Sequence, residues 1–201
     1  MKVLFLTHWF PTDENPQKGI FILEQAKALV NVGADVTIVH VKITAGSGLI
    51  ANTMNQYQKD GIAVIELDLS GLLWKLVYTI YPIQLSLIRA GLKKAKLNLS
   101  SFDLIHSHVV HPAGAIGNRL ATENNRPHFI SEHWSNLGYY FEKNLFRNWG
   151  KEAYQNAKRI FVVSNFLKEQ TSQYVGDDSK LEVIPNVVSA AEFKFRPSAI
   201  G

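Results

Sequence analysis

Short apolar segments alternate with longer segments in which apolar residues recur every three or four positions. The short segments are rich in Val, Ile, Leu and Phe, which is typical of strands buried on both faces of a sheet. Strands are predicted over residues 2–7, 35–41, 62–69, 102–106, 128–132, 159–163 and 181–184. The polar, glycine-containing residues 42–60 are expected to form a loop with a short helix.

Helix-period segments lie between most of these strands. Helices are predicted over residues 19–32, 72–99, 112–123, 144–157 and 165–175. This alternation favours an α/β fold, a Rossmann-like parallel sheet of about seven strands with helices on both faces. We expect one domain over residues 1–186, followed over residues 187–201 by the start of an interdomain linker.

The amino-acid composition excludes several classes of site and function. The chain has 201 residues, no cysteine and a formal net charge of +4. Without cysteine there are no disulfides, thiolate metal sites or cysteine nucleophiles, which fits a reducing compartment. The basic excess is too small to indicate nucleic acid binding, and no run of 18 apolar residues predicts a membrane-spanning helix.

The segment 72–99 has two interpretations. It begins with Leu, Trp and Tyr residues and ends with four basic residues, Arg89, Lys93, Lys94 and Lys96. Such a pattern is found in helices that lie at a membrane interface. It is also found in core-packed helices whose basic end complements the helix dipole.

In a parallel sheet, ligands bind outside the carboxyl ends of the strands. The first such loop, His8–Gly19, leads into a predicted helix start, where free N–H groups attract anions. Lys18 adds positive charge, and Gly19 permits close approach to the backbone. A plain surface loop with a glycine at the helix start is the alternative.

The fourth predicted strand ends at His106, and His108 and His111 follow it. Strand alternation places His106 and His108 on one face, a spacing that occurs in some zinc sites. A second interpretation has His108 emerging at the strand end to orient a hydroxyl. A third has these histidines packed in the core.

The next strand ends in Glu132, His133 and Trp134. An indole stacks on sugars, and carboxyl and imidazole groups hydrogen-bond hydroxyls, so this cluster could wall an acceptor cleft. Packing of the loop under the domain is equally compatible with the sequence. A separate G-x-G-x-x-A match, Gly46–Ala51, follows the second strand rather than the first and is weak evidence for a dinucleotide site.

Several segments occur together in a fixed order over nearly the whole chain. They are Lys2–Leu6, Phe10-Pro11, Lys18–Gln25, Ala28-Leu29, Gly33–Val36, Phe102–His108, Ser131–Trp134, Ala157–Ser164 and Val183–Asn186. Taken as an ordered set, they resemble the N-terminal domain of family 4 (group 1) glycosyltransferases, which have the GT-B fold.

The resemblance implies a retaining transfer of a hexosyl-type sugar from a nucleotide-sugar to a hydroxyl of a saccharide or lipid-linked saccharide in polysaccharide biosynthesis. It implies no metal or other cofactor, and a cytoplasmic enzyme with peripheral contact at the inner face of the cell membrane through residues 72–99. The catalytic candidate that it implies is His108. The substrate-binding candidates are Phe10, Lys18, Gly19, His111, Glu132, His133 and Trp134.

The sequence departs from the family pattern in two places. The first loop has Gly19 where relatives often have two glycines, and Pro185-Asn186 is followed by Val187 rather than glycine. The donor-binding domain would lie beyond Gly201, so we expect this chain to be inactive by itself. A non-catalytic sugar- or nucleotide-binding Rossmann module is the alternative function.

Overall fold

The computed structural model describes residues 1–187, so the predicted linker falls outside the described residues except for Val187. One eight-stranded sheet runs through this region. Its strands are β1 (Lys2–Thr7), β2 (Asp35–Lys42), β3 (Thr53–Lys59), β4 (Ile62–Asp68), β5 (Leu104–His108), β6 (His128–Glu132), β7 (Arg159–Val162) and β8 (Leu181–Val183).

The strand order is β3-β4-β2-β1-β5-β6-β7-β8, and every neighbouring pair is parallel except β3 with β4. The chain therefore winds outward from β1 in both directions. Phe5 of β1 is in register with Ile38 of β2 and His106 of β5. The Rossmann-like parallel sheet is confirmed, and all seven predicted strands are present.

The eighth strand corrects the prediction of a loop with a short helix over residues 42–60. β3 is an antiparallel edge strand with largely solvent-exposed polar side chains, so it lacks the apolar signature of the others. Asp60 and Gly61, both with positive φ, join it to β4 in a two-residue hairpin. An Asp-Gly pair is a recognised hairpin signal, and it was present in the sequence.

Seven helices lie between the strands in the described part of the chain. They are α1 (Ile20–Asn31), α2 (Trp74–Thr79), α3 (Tyr81–Lys94), α4 (Ala115–Glu123), α5 (Gly138–Phe141), α6 (Asn144–Asn156) and α7 (Asn165–Val175). The helix predicted from Pro112 begins at Ala115, after a π-type turn over Val110–Gly114.

The single helix predicted over residues 72–99 is wrong, because the chain breaks at Ile80 into α2 and α3. Ile80 has non-helical angles, and Pro82 stands in the first turn of α3, where its missing N–H group needs no partner. The break separates the aromatic and leucine-rich start from the lysines at the end of α3.

Helices cover both faces of the sheet, as the sequence predicts. Leu4 and Leu6 of β1 belong to a core that includes buried residues of α3 and α4. The alternate residues Val3 and Phe5 pack on the other face with α1. Within residues 1–187, no helix has the length and hydropathy needed to cross a bilayer.

Candidate functional site

The carboxyl ends of the central strands bring the candidate residues to one edge of the sheet. His8 follows β1, His108 ends β5 and Glu132 ends β6, and these three strands lie close together in the sheet. The first loop enters α1 beside them. The topology alone therefore collects residues that are more than a hundred positions apart in sequence.

Three imidazole rings form a row at this edge, which we call the histidine row: His106, His108 and His133. The His106 and His108 rings stack with centroids 4.7 Å apart, and those of His108 and His133 are 5.6 Å apart. His108 Nδ1 lies 3.4 Å from His133 Nε2. The Phe5 ring contacts His108, and Phe21 of α1 contacts His133, so apolar rings fix the row on both sides.

Burial keeps the row uncharged. It lowers the pKa of His106 to about 3 and that of His133 to about 4, and His128 and His133 lower that of His106 slightly more. The pKa of His108 is held well below its ordinary value, by burial first and then by His106 and His133. At neutral pH each ring therefore offers one N–H donor and one nitrogen acceptor.

Gly19 joins the first loop to α1. Its φ of 69° is left-handed, and a Cβ added there would lie 2.5 Å from the Trp9 carbonyl oxygen. Glycine thus allows the backbone of the loop to pack directly against the start of the helix. The Trp9 indole in turn contacts Trp134, with ring centroids 5.4 Å apart, which links this loop to the end of β6.

A cleft of about 340 Å³ opens along the same edge of the sheet, at the ends of β1 and β2. Its lining includes both charged and aromatic side chains. They include Phe10, Glu14, Lys18, Lys42 and Tyr78. Lys18 is exposed, whereas the Phe10 side chain is buried and belongs to the core around α1.

Two further histidines, His8 and His40, line this cleft, and neither is among the site residues predicted from the sequence. His40 Nδ1 lies 3.1 Å from Glu66 Oε2, and this hydrogen bond lowers the pKa of Glu66. His8 is buried without a hydrogen-bond partner on either ring nitrogen in the described structure. Burial, followed by the charges of His40 and Lys18, lowers the pKa of His8 to about 3. The position of His8 directly after β1 was the feature of the sequence that could have identified it as a site residue.

His111 and Glu132 lie beneath the edge rather than on it. His111 Nδ1 is 2.9 Å from the Tyr81 hydroxyl, inside a cluster of aromatic rings that includes Tyr140. Burial lowers its pKa to about 3. Glu132 is fully buried and accepts a hydrogen bond from the Val110 N–H, and burial raises its pKa to about 8 although this bond lowers it.

The structure therefore divides the predicted site residues into three groups. His108, His133, Trp134 and Gly19 meet at the edge, and Lys18 and Phe10 line the neighbouring cleft. His111 contacts the aromatic cluster and Glu132 contacts the turn at Val110, and like His108 both are almost fully buried. Among residues 1–187, no three His, Cys, Asp or Glu side chains are grouped to hold a metal ion.

The Gly46–Ala51 motif does not fit a dinucleotide site in this fold. It lies between β2 and the antiparallel β3, whereas the fingerprint joins a strand to a helix. Gly71 packs against this loop, since a Cβ there would lie 2.5 Å from the Leu49 carbonyl oxygen.

Sequence comparison matches residues 19–192 to the family described as Glycosyltransferase Family 4. The chain is also 25% identical over 203 residues to a protein of Bacillus subtilis (strain 168) named "Putative teichuronic acid biosynthesis glycosyltransferase TuaC". That alignment covers 96% of this chain and 51% of the relative, so the chain spans about half the length of the curated relative it matches.

Solved structures share the fold at low identity. Anabaena Alr3699/HepE in complex with UDP and glucose aligns with a TM-score of 0.62 and 16% identity, covering 98% of this chain and 47% of that chain. Arabidopsis thaliana UGT89C1 complexed with UDP-L-rhamnose aligns with a TM-score of 0.56 and 12% identity, covering 98% and 51%. This chain therefore has the architecture of one half of a GT-B protein.

Proposed function

The chain belongs to glycosyltransferase family 4, and from that premise we propose that it is the acceptor-binding half of a retaining enzyme. The complete protein would move a hexosyl group from a nucleotide-sugar to a hydroxyl of a saccharide or lipid-linked saccharide in polysaccharide biosynthesis. The teichuronic acid relative supports the pathway class, and the HepE complex supports a nucleotide-sugar donor. The donor-binding half would lie outside this chain, which by itself would be inactive.

The observation that carries this proposal is the pairing of the histidine row with an open cleft at one edge. His108 and His133 stand at the ends of β5 and β6, and the cleft opens at the ends of β1 and β2 along the same edge, with His8 in its lining. A transferase must hold an acceptor hydroxyl beside the anomeric carbon of its donor. The cleft would bind the acceptor body, and His108 would hold its reacting hydroxyl.

Burial defines what His108 would contribute. A neutral imidazole with a strongly lowered pKa accepts a hydrogen bond from a hydroxyl but takes its proton poorly. His108 would therefore orient the acceptor, and the departing phosphate of the donor would take the proton. The start of α1 at Gly19 would stabilise the negative charge of that diphosphate. This scheme needs no metal ion or other cofactor.

The experiment compares the complete gene product with its His108→Ala variant. Nucleoside diphosphate release from UDP-glucose and other nucleotide-sugars is measured with lipid-linked saccharides from the host as acceptors. We expect His108→Ala to lower kcat/KM by about a hundredfold, because the acceptor hydroxyl would no longer be held in position. Val32→Ala, an exposed position just after α1, is the control and should leave the rate unchanged. Equal rates for His108→Ala and the native enzyme would refute the role of His108.

We also propose peripheral membrane contact, through α2 rather than through the lysines of α3. Leu72, Leu73 and Leu76 are 41–65% exposed, and Leu49 of the adjoining loop is 71% exposed. The Leu73 N–H donates to the Leu49 carbonyl, so the two segments that carry these exposed leucines lie side by side. Tyr78 on the same helix lines the cleft, which would place a lipid-linked acceptor at these leucines.

Vesicle co-sedimentation tests this contact. Leu72→Asp/Leu76→Asp should abolish binding to phosphatidylglycerol vesicles, because charged side chains do not enter the interface. Lys93→Ser/Lys94→Ser, at the far end of α3, should retain most of it. If the lysine variant loses binding and the leucine variant keeps it, the contact is made by the lysines of α3. If the native chain does not bind the vesicles, the proposed membrane contact is wrong.

A further inference from the structure

We propose that Glu132 is a positioning residue that fixes the His108 imidazole through the turn at Val109 and Val110. The positioning of the ring depends only on the turn. The importance of this positioning for transfer rests on the function proposed for His108. Neither a ligand nor the reacting atoms need touch Glu132.

The turn after His108 has an uncommon backbone conformation. Val109 has φ 69° and ψ 127°, and β-branched residues avoid positive φ. Glycine is the residue that adopts such angles readily. Val109 is also almost fully buried, so packing and hydrogen bonds must hold it there.

Three hydrogen bonds hold this turn. The Val109 N–H donates to the Ser131 carbonyl at 2.7 Å, and the Gly114 N–H donates to the Val109 carbonyl at 3.0 Å. Both join backbone to backbone, so they do not depend on side-chain identity. The third bond runs from the Val110 N–H to the Glu132 carboxyl, and it is the one that a substitution can remove.

Glu132 is enclosed by protein in this conformation. Its side chain has no exposed surface, and it packs near Tyr154 beneath the edge. Oε1 accepts from the Val110 N–H, and the Tyr154 hydroxyl and the Trp134 N–H also interact with the carboxyl and lower its pKa. Because burial raises the pKa of Glu132, the carboxyl is largely protonated at neutral pH, and an uncharged amide can replace it.

His108 is the residue through which this turn would act. It directly precedes Val109, and its ring sits between the His106 and His133 rings. A relaxed turn would let the end of β5 shift, and the 3.4 Å approach between His108 Nδ1 and His133 Nε2 would be lost. Ser131 and Glu132 are consecutive in β6, so the strand that carries His133 also fixes His108.

The first test observes the ring directly in the native chain, labelled with ¹⁵N-histidine. Glu132→Ala should shift the His108 imidazole resonances and remove the nuclear Overhauser effect between His108 and His133. Glu132→Gln, which keeps an oxygen acceptor for Val110, should retain both. Glu182→Ala, on the exposed face of β8, is the control for loss of a glutamate and should change neither.

A second variant separates positioning from general loss of structure. Val109→Gly adopts the required φ without strain, so Glu132→Ala/Val109→Gly should recover the native His108 signals. The double variant also covers the case in which Glu132→Ala alone does not fold. If Glu132→Ala folds and its His108 signals are native, the proposal is wrong. It is also wrong if the double variant folds and its His108 signals are displaced.

Transfer kinetics in the complete enzyme then separate this inference from the proposed function. If both hold, Glu132→Ala lowers kcat by about tenfold to a hundredfold with little change in KM, and Val109→Gly restores it. If the ring moves while kcat does not change, the positioning by Glu132 stands and the role of His108 fails.

Discussion

Replacing Gly19 with alanine tests whether the first loop packs against α1 as tightly as the structure indicates. The added Cβ would lie 2.5 Å from the Trp9 carbonyl oxygen, 2.6 Å from its carbonyl carbon and 2.9 Å from the Phe10 nitrogen. All three are backbone atoms, so no side chain can rotate away. The loop itself would have to move.

Two effects add at this position. A non-glycine residue in the left-handed region costs about 1–2 kcal/mol. Forcing a methyl group into packed surroundings costs about 1–3 kcal/mol more. Gly19→Ala should therefore lower the free energy of unfolding by about 2–5 kcal/mol, which for a chain of this length lowers Tm by roughly 4–20 °C.

Gly33→Ala is the matched control. Gly33 has φ 88°, and a Cβ there would meet no atom within 4 Å, so only the conformational effect of about 1–2 kcal/mol applies. Urea unfolding followed by circular dichroism measures both variants. If Gly19→Ala and Gly33→Ala lower the free energy of unfolding equally, Gly19 is not closely packed on Trp9. The start of α1 would then have room for a methyl group.

Three further predictions concern buried polar groups. The pKa values of His8, His106, His111 and His128 are near 3 in the folded chain, so only the unfolded chain binds their protons between pH 6.5 and 3. Urea unfolding should show stability falling as the pH is lowered through this range, because protons bind to the unfolded chain only, and a flat profile would contradict the lowered pKa values. Folded Glu132 keeps its proton up to about pH 8 while the unfolded chain loses it near 4.5, so native stability should fall relative to Glu132→Gln as pH rises from 5 to 8. A Cβ on Gly117 would overlap Ser107 Oγ, so Ser107→Ala should rescue part of the stability lost in Gly117→Ala, and strict additivity would exclude that contact.

The sheet was predictable because burial on both faces leaves a continuous apolar run, as in β1. The same logic fails for β3, since an edge strand with polar side chains carries little hydrophobic signal. It also fails at Ile80, because apolar periodicity continues through the break between α2 and α3. Local turn chemistry, the Asp60-Gly61 pair and Pro82, marked both places.

The site was predictable at the level of strand ends and not at the level of individual contacts. Position after a strand selected His108, His133 and Trp134, which the fold brings together. It could not distinguish them from His111, because only the turn after Val109 carries the chain beneath the edge. Whether a polar residue faces the cleft or the interior depends on such backbone angles, which sequence periodicity does not encode.

Burial assigns different chemistry to the two parts of this edge. The histidine row is enclosed by Phe5 and Phe21 and is uncharged at neutral pH, whereas the cleft at the ends of β1 and β2 carries Lys18, Lys42 and Glu14. An uncharged row can orient a hydroxyl without binding its proton. Anionic groups would be bound instead by the lysines and by the N–H groups at the start of α1. Introducing a charge into the row would require desolvation of a buried imidazolium, so the fold itself opposes histidine acting there as a base. For the proposed transfer, we infer that this edge supplies geometry and that the proton leaves with the donor phosphate.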